Sequence, residues 1–396
     1  MNIAQLAPPF ETIPPVGYGG TERVVHTLTE ELIRRGHSVT LFASGDSRTS
    51  ARLVPTCEQA LWRQEPAYSD FTPLLSVTLG KALREVGNFD VLHNHLDHVG
   101  FALTRQTSTP VVSTLHGRLD RPEHEPLYRE FADVPLVSIS QAQRTPVAWA
   151  NFVATVHHGV DLEQFTFNPL PDGYLAFLGR VSSEKGLDTA IRVARRAGLP
   201  LRVSVRMPLP FLSDWSVRAD WDFWEHVVQP LLGSDIELVG EVGGAEKDAF
   251  LRNAAALLFP NRWPEPFGLV MAEALACGTP VLALRAGSVP EVVRDGVTGF
   301  ICDTEDELVM AAGRLGGLDR WTCRREAEQR FSPAAMARAY ERVYEGVIGA
   351  AGRQGLMSLP RSQVVYLNGS NGTARHHGEV DRSAAQRVGP ETGAAT

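Results

Sequence analysis

The chain is poor in the features that mark several protein classes. Its 396 residues include only four cysteines, at 57, 277, 302 and 323, with no Cys-x-x-Cys pair and no histidine beside them at zinc-finger spacing. The four read as reduced core thiols, which argues against a disulfide framework or a thiolate zinc site. No apolar run approaches the roughly 18 residues that a membrane-crossing helix needs, Ala254 to Phe259 being typical. The first residues, Met1 to Leu6, carry neither a basic leader nor a long apolar segment, so export is not expected and the cytoplasm is the expected compartment. Excess positive charge is missing too. With 38 Lys plus Arg against 46 Asp plus Glu, the net charge of -8 offers no global basic field to attract nucleic acid or an anionic membrane. A local basic pocket remains open.

What recurs instead is a short apolar run, a glycine-containing loop, an amphipathic helix and another apolar run. That grammar predicts α/β architecture with parallel sheets. The first unit joins a strand at Met1 to Leu6, a loop with Gly17, Gly19 and Gly20, a helix over about 21–35 and a strand at Ser38 to Ala43. Thr21 is placed as N-cap, Val24, Val25, Leu28, Leu32 and Ile33 form one stripe, and Gly36 sits where a helix-ending glycine belongs. A Pro/Gly stretch from Phe165 to Gly173 suits an interdomain linker, and the same grammar then begins again. We therefore expect two Rossmann-like doubly wound domains, over 1–165 and 166–332, facing across a cleft at the carboxyl ends of both sheets. A helix over 333–351 follows, expected to cross back to the first domain. Residues 352–396 lack sustained periodicity and read as a disordered tail, in which the sequons at Asn368 and Asn371 are expected to be chance matches.

The stretch Pro264 to Pro280 combines a strand-loop-helix pattern, with Pro266 near the first helical turn, and a helix-ending Gly278. The free amides of Phe267, Gly268 and Leu269 at that helix start would attract phosphate. Glu273 lies roughly 8 Å further along the helix than Gly268, a reach suited to ribose hydroxyls. From this stretch alone a capped core helix is an equal reading. After the strand at Tyr174 to Leu178, Arg180 and Lys185 bring two cations to the same end of the second sheet, able to neutralise a pyrophosphate unless they are surface charges.

Together these residues resemble glycosyltransferase family 4, the retaining nucleotide-sugar glycosyltransferases of GT-B architecture, over about 1–348. The most specific element is Glu265 followed after seven residues by Glu273. It is supported by the Gly19-Gly20 loop, Gly179-Arg180 with Lys185-Gly186, Thr114 to Gly117, and Gly287 to Glu291. The resemblance implies an acceptor-binding first domain and a nucleotide-sugar-binding second domain. It places Glu273 on the donor ribose, Arg180 and Lys185 on the diphosphate, Glu265 near the transferred sugar, and the amides of Phe267, Gly268 and Leu269 on phosphate or sugar hydroxyls. Gly19 and Gly20 would close over the phosphates, and His116 would contact the sugar. It implies a hexose donor, most commonly UDP-linked, an unidentified small-molecule, glycan or lipid-linked hydroxyl acceptor, no nucleic-acid partner and no obligate metal or other cofactor. A nucleotide-sugar epimerase of the same architecture and a non-catalytic sugar-nucleotide-binding protein are the alternatives.

Three features stay ambiguous. Arg206 follows the strand Leu201 to Val205, where many relatives carry a glycine-containing turn; it is either a third cation at the phosphates or a solvent-facing charge. His93 and His95 share a strand face and, with His98, could ligate a metal, but an acceptor-site or structural role is favoured. Trp221, Trp224 and Val228 fall at helical spacing, so packing is favoured over sugar stacking there and at Trp215.

Overall fold

The computed structural model describes residues 1–17, 19–64, 70–208, 215–354 and 365–366. The first half is built from β1 (Asn2–Leu6), α1 (Gly20–Arg34), β2 (Ser38–Ser44), β3 (Arg52–Cys57), α2 (Thr72–Glu85), β4 (Val91–Asn94), β5 (Val111–Thr114), α3 (His124–Glu130), β6 (Leu136–Ser138), α4 (Gln141–Arg144) and β7 (Phe152–Thr155). The second comprises β8 (Leu175–Arg180), α5 (Leu187–Ala197), β9 (Leu201–Arg206), α6 (Trp215–Phe223), β10 (Ile236–Leu238), α7 (Gly244–Arg252), β11 (Ala256–Phe259), α8 (Leu269–Ala276), β12 (Val281–Leu284), α9 (Val289–Val292), β13 (Gly299–Cys302), α10 (Glu305–Ala312) and α11 (Arg320–Arg330). The long α12 (Pro333–Gln354) and the two-residue β14 (Val365–Tyr366) complete it.

Every pairing between these strands is parallel, in the orders β14-β7-β6-β5-β4-β1-β2-β3 and β10-β9-β8-β11-β12-β13. Apart from Asn2 at the start of β1, the central strands are buried along their length, as parallel sheets covered by helices on both faces require. In each sheet the winding reverses, between β1 and β4 and between β8 and β11. The loops leaving those strands splay apart there and open a crevice, which is where such sheets take ligands.

α12 leaves the second sheet and lies on the first. Its Tyr340 and Tyr344 are buried in one cluster with Val24, Leu28 and Val137. Arg35 reaches both oxygens of Glu341, at 2.8 and 2.7 Å, and His37 adds a contact at 2.9 Å. The Arg35 hydrogen bonds hold the Glu341 carboxyl down at about 2.

Several local expectations are corrected. α1 begins at Gly20 with Gly19 as its cap residue and no side-chain cap, so Thr21 lies inside the helix. α8 begins at Leu269, which leaves Pro266 in the loop before it. Residues 52–57, for which no strand was expected, form β3, an edge strand that tolerates Pro55 because an edge leaves one row of amides unpaired. Trp224 and Val228 are buried in the core against α5 and β9, but on a π-helical turn that follows α6. Within 352–396, residues 352–354 continue α12 and β14 pairs with β7. The rest of that segment, with Asn368 and Asn371, lies outside the described residues, as does the side chain of Trp215.

Candidate active site

The crevice between the two sheets holds a cavity of about 440 Å³ lined by Gly19, Gly20, His116, Arg180, Lys185, Arg206, Glu265, Phe267, Gly268, Leu269 and Glu273, all the residues expected at the donor and the reacting sugar. They converge because each leaves the carboxyl end of a strand: β1 for the glycine loop, β5 for His116, β8 for Arg180 and Lys185, β9 for Arg206, and β11 for 265–273.

At the start of α8, Gly268 adopts φ 74, and a Cβ built there would meet Met271 Cε at 2.7 Å and Phe259 Cζ at 3.1 Å. Only glycine fits both the left-handed backbone and the space. The turn leaves the amides of Phe267, Gly268 and Leu269 without an acceptor among the described residues. Gly287, at φ 51, packs so close to the Glu265 backbone that a Cβ would come within 2.4 Å of it. Ser288 completes the cradle by donating its hydroxyl to Phe267 O at 2.8 Å and its amide to Glu265 O at 3.0 Å. Glu273 is 1% exposed. Lys247 Nζ lies 2.5 Å from one of its oxygens, yet neither oxygen receives a well-aligned hydrogen bond from the described residues. A buried carboxylate with unused acceptor capacity facing a cavity is costly unless something else donates to it.

The cations are held by carboxylates of their own half. Lys185 pairs closely with Glu265, which also accepts from Asn261 Nδ2 at 2.7 Å. Arg180 sits 3.1 Å from Asp220 and 3.5 Å from Glu184. Arg206 faces the cavity rather than bulk solvent, its guanidinium 5.3 Å from the ring centre of Trp62 in the first half.

With that geometry in view, residues 18–164 match the family described as Glycosyltransferase Family 4 and residues 225–331 match Glycosyl transferases group 1. The chain belongs to glycosyltransferase family 4. It is 29% identical over 334 residues to the D-inositol 3-phosphate glycosyltransferase of Mycolicibacterium smegmatis, covering 73% of this chain and 76% of that one. Among solved structures, the sucrose-phosphate synthase of Thermosynechococcus elongatus superposes with a TM-score of 0.70 at 20% identity, over 88% of this chain and 99% of that one. HepE of Anabaena, solved with UDP and glucose, gives 0.66 at 18% identity, over 87% and 100%. The glycosyltransferase shares the GT-B architecture with these structures.

On the first-sheet side of this glycosyltransferase the histidines form a chain. His93 lies between Tyr344 (2.8 Å) and Thr114 (2.7 Å), both its ring nitrogens engaged. His95 Nε2 donates to Gln5 Oε1 at 2.6 Å, so its Nδ1 accepts from His116 Nε2 at 2.9 Å. Burial pushes His95 well below the ordinary histidine range and His116 down to about 3, so both rings are neutral. His116 is left with a bare Nδ1, buried and without a partner among the described residues. The four nitrogens of His93 and His95 are thus spent on protein groups, and among the described residues no group of three His, Cys, Asp or Glu is placed to hold a metal ion.

Other lining residues of the glycosyltransferase escaped sequence reasoning. Lys247 sits in the second turn of α7, where a single lysine looks like a surface charge. Only the preceding Gly243-Gly244 pair hinted that the helix start faces a ligand. Arg23 lines the cavity and donates to Gly17 O at 3.0 Å. Asp97, at φ 46, accepts from the His116 amide at 2.9 Å, and burial raises its carboxyl. Glu22 is buried beside Gly19, and desolvation lifts its carboxyl from 4.5 to about 7.

A consequence for stability follows from Glu22. Its proton is held more tightly folded than unfolded, so stability falls as pH rises from about 4.5 through 7. The Glu22→Gln variant should melt like wild type at pH 5 and above it at pH 8, by calorimetry. A lower melting temperature for Glu22→Gln at pH 8 would contradict the buried-carboxyl account.

Proposed function

We propose that this chain is a retaining, metal-independent glycosyltransferase that moves a hexose from a nucleoside diphosphate sugar, UDP-hexose by preference, to a hydroxyl acceptor. The observation that carries the reading is Glu273, a buried carboxylate with open acceptor capacity placed just inside a helix whose first amides face the same cavity. A ribose diol donates two hydroxyl hydrogen bonds, the complement of such a carboxylate. Phosphates then fall to the unpaired amides of Phe267, Gly268 and Leu269 and to Arg180, Lys185 and Arg206, with the Gly19-Gly20 loop closing from the opposite side. The relative solved with UDP and glucose supports the uridine donor.

In this reading the bond from the sugar C1 to the terminal phosphate oxygen breaks while the acceptor oxygen bonds C1 on the same face. The acceptor proton passes to the departing phosphate. Arg180 and Lys185 exchange their carboxylate partners for the diphosphate and take up its growing charge, the contribution that preorganised cations make most strongly in a dry site. Glu265, released from Lys185, is free to hold sugar hydroxyls, and His116 offers its bare Nδ1 to another. Incubation with UDP-glucose and a panel of hydroxyl acceptors should yield a glucoside with the donor's anomeric configuration by proton NMR, at a rate unchanged by EDTA. An inverted product or loss of turnover after chelation overturns the corresponding part of the reading, and sugar conversion without any acceptor would favour the epimerase.

A further inference from the structure

A second cavity, of about 490 Å³, opens where the chain crosses between its halves. One wall belongs to α12, which is fixed to the first sheet through Tyr340, Tyr344 and Glu341. The other belongs to α9 and α11, whose Val289, Val292, Cys323 and Ala327 are buried with α8 in the core of the second half. The cavity therefore straddles the hinge.

Its lining is cationic on a chain of net charge -8. Arg294, Arg330, Arg338 and Arg342 face it, against Glu291 and Glu326. Both carboxylates are already satisfied. Glu326 pairs with Arg294 and, at 3.3 Å, with Arg330, while Glu291 accepts from the amides of Gln141 and Ala142 at 2.8 Å each and from His157 at 3.1 Å. Arg338 and Arg342, one helical turn apart on α12, have neither an ion pair nor a hydrogen bond among the described residues. Two like charges at that spacing repel. A concave site with an excess of two guanidinium groups fits an anion carrying two or more charges, and the planar forks favour phosphate oxygens.

We propose that this hinge cavity binds a small free phosphate-bearing anion, distinct from the sugar-nucleotide donor. Bound there, the anion ties α12 to α9 and α11 and favours the hinge angle that brings the arginines of both walls together.

Inorganic pyrophosphate is titrated calorimetrically into wild type and R338A/R342A, each first saturated with UDP to occupy the first cavity. Wild type should bind one equivalent, and the double variant should bind it at least tenfold more weakly with unchanged UDP affinity. Should the alanine pair fold poorly, R338Q/R342Q keeps side-chain bulk and carries the same expectation. Equal pyrophosphate binding by both proteins, or none by wild type, overturns the site. So does arginine-dependent capture on phosphatidic acid vesicles without pyrophosphate binding, which would make the ligand a lipid headgroup. Failure of UDP to bind would count against the donor reading alone, because the hinge site is read from the difference between the two proteins.

Discussion

Glu273→Gln is expected to weaken UDP binding by at least 100-fold, the largest loss from any single substitution in the cavity. Each hydrogen bond from a ribose hydroxyl to an ionised carboxylate contributes about 1.5–3 kcal/mol, so two such bonds account for about 3–6 kcal/mol. Glutamine keeps one acceptor oxygen and turns a donor toward the second hydroxyl. One effect opposes this loss. The substitution frees Lys247, whose ammonium lies 2.5 Å from Glu273, to approach the donor's diphosphate. Burial already lowers the Lys247 pKa, so losing the carboxylate favours its neutral form and limits that compensation. The loss of the diol should therefore dominate. A comparison with 2′-deoxy-UDP isolates it. Wild type should discriminate strongly against the deoxy ligand and Glu273→Gln should hardly distinguish the two, as coupling between contacting groups requires. Equal UDP affinity in wild type and variant would remove Glu273 from the ribose.

Much of the α/β architecture was legible because parallel strands buried on both faces are continuous apolar runs, and Gly36 and Gly278 punctuate the helices where φ turns positive. β3 was not, since its residues are half exposed and interrupted by Pro55. The eleven candidate residues share one cavity because the loops carrying them leave strand ends on the same side of each sheet, a regularity of the fold that spacing can anticipate. Lys247, Arg23, Glu22 and Asp97 line that cavity too. Glycine pairs precede three of them, at 19–20 and 243–244, but a glycine pair does not say which charged residue after it turns inward. The His93 and His95 pair shows the same limit from the other direction: the shared strand face was readable, but their partners Tyr344 and Gln5 come from residues 251 and 90 positions away. Glu291 is similar. It sits in a recognisable Gly287 to Glu291 motif, yet its partners are the amides opening α4 and His157 across the interface.

That histidine chain supports the last expectation. His116→Ala should lower kcat by about 100-fold, the scale of losing one preorganised polar contact to the reacting sugar, while UDP affinity changes less than twofold. His95 does not reach the sugar in this account and acts by holding His116. Because Gln5 takes the proton of His95 Nε2, His95 can only accept from His116, which leaves Nδ1 of His116 without a partner among the described residues. His95→Phe keeps the ring volume but removes that acceptor, so the imidazole of His116 can rotate or change tautomer. A supporting residue of this kind typically costs about 10–100-fold when removed. The fall should appear in kcat, with the donor KM preserved. The pH profile adds a second readout. With burial holding His116 at about 3, wild-type kcat should show no inflection near 6.5 that disappears in His116→Ala. A His95→Phe enzyme that keeps full kcat, or one whose donor KM rises in step with its loss of turnover, would show that His95 packs the strand end without setting the proton on His116.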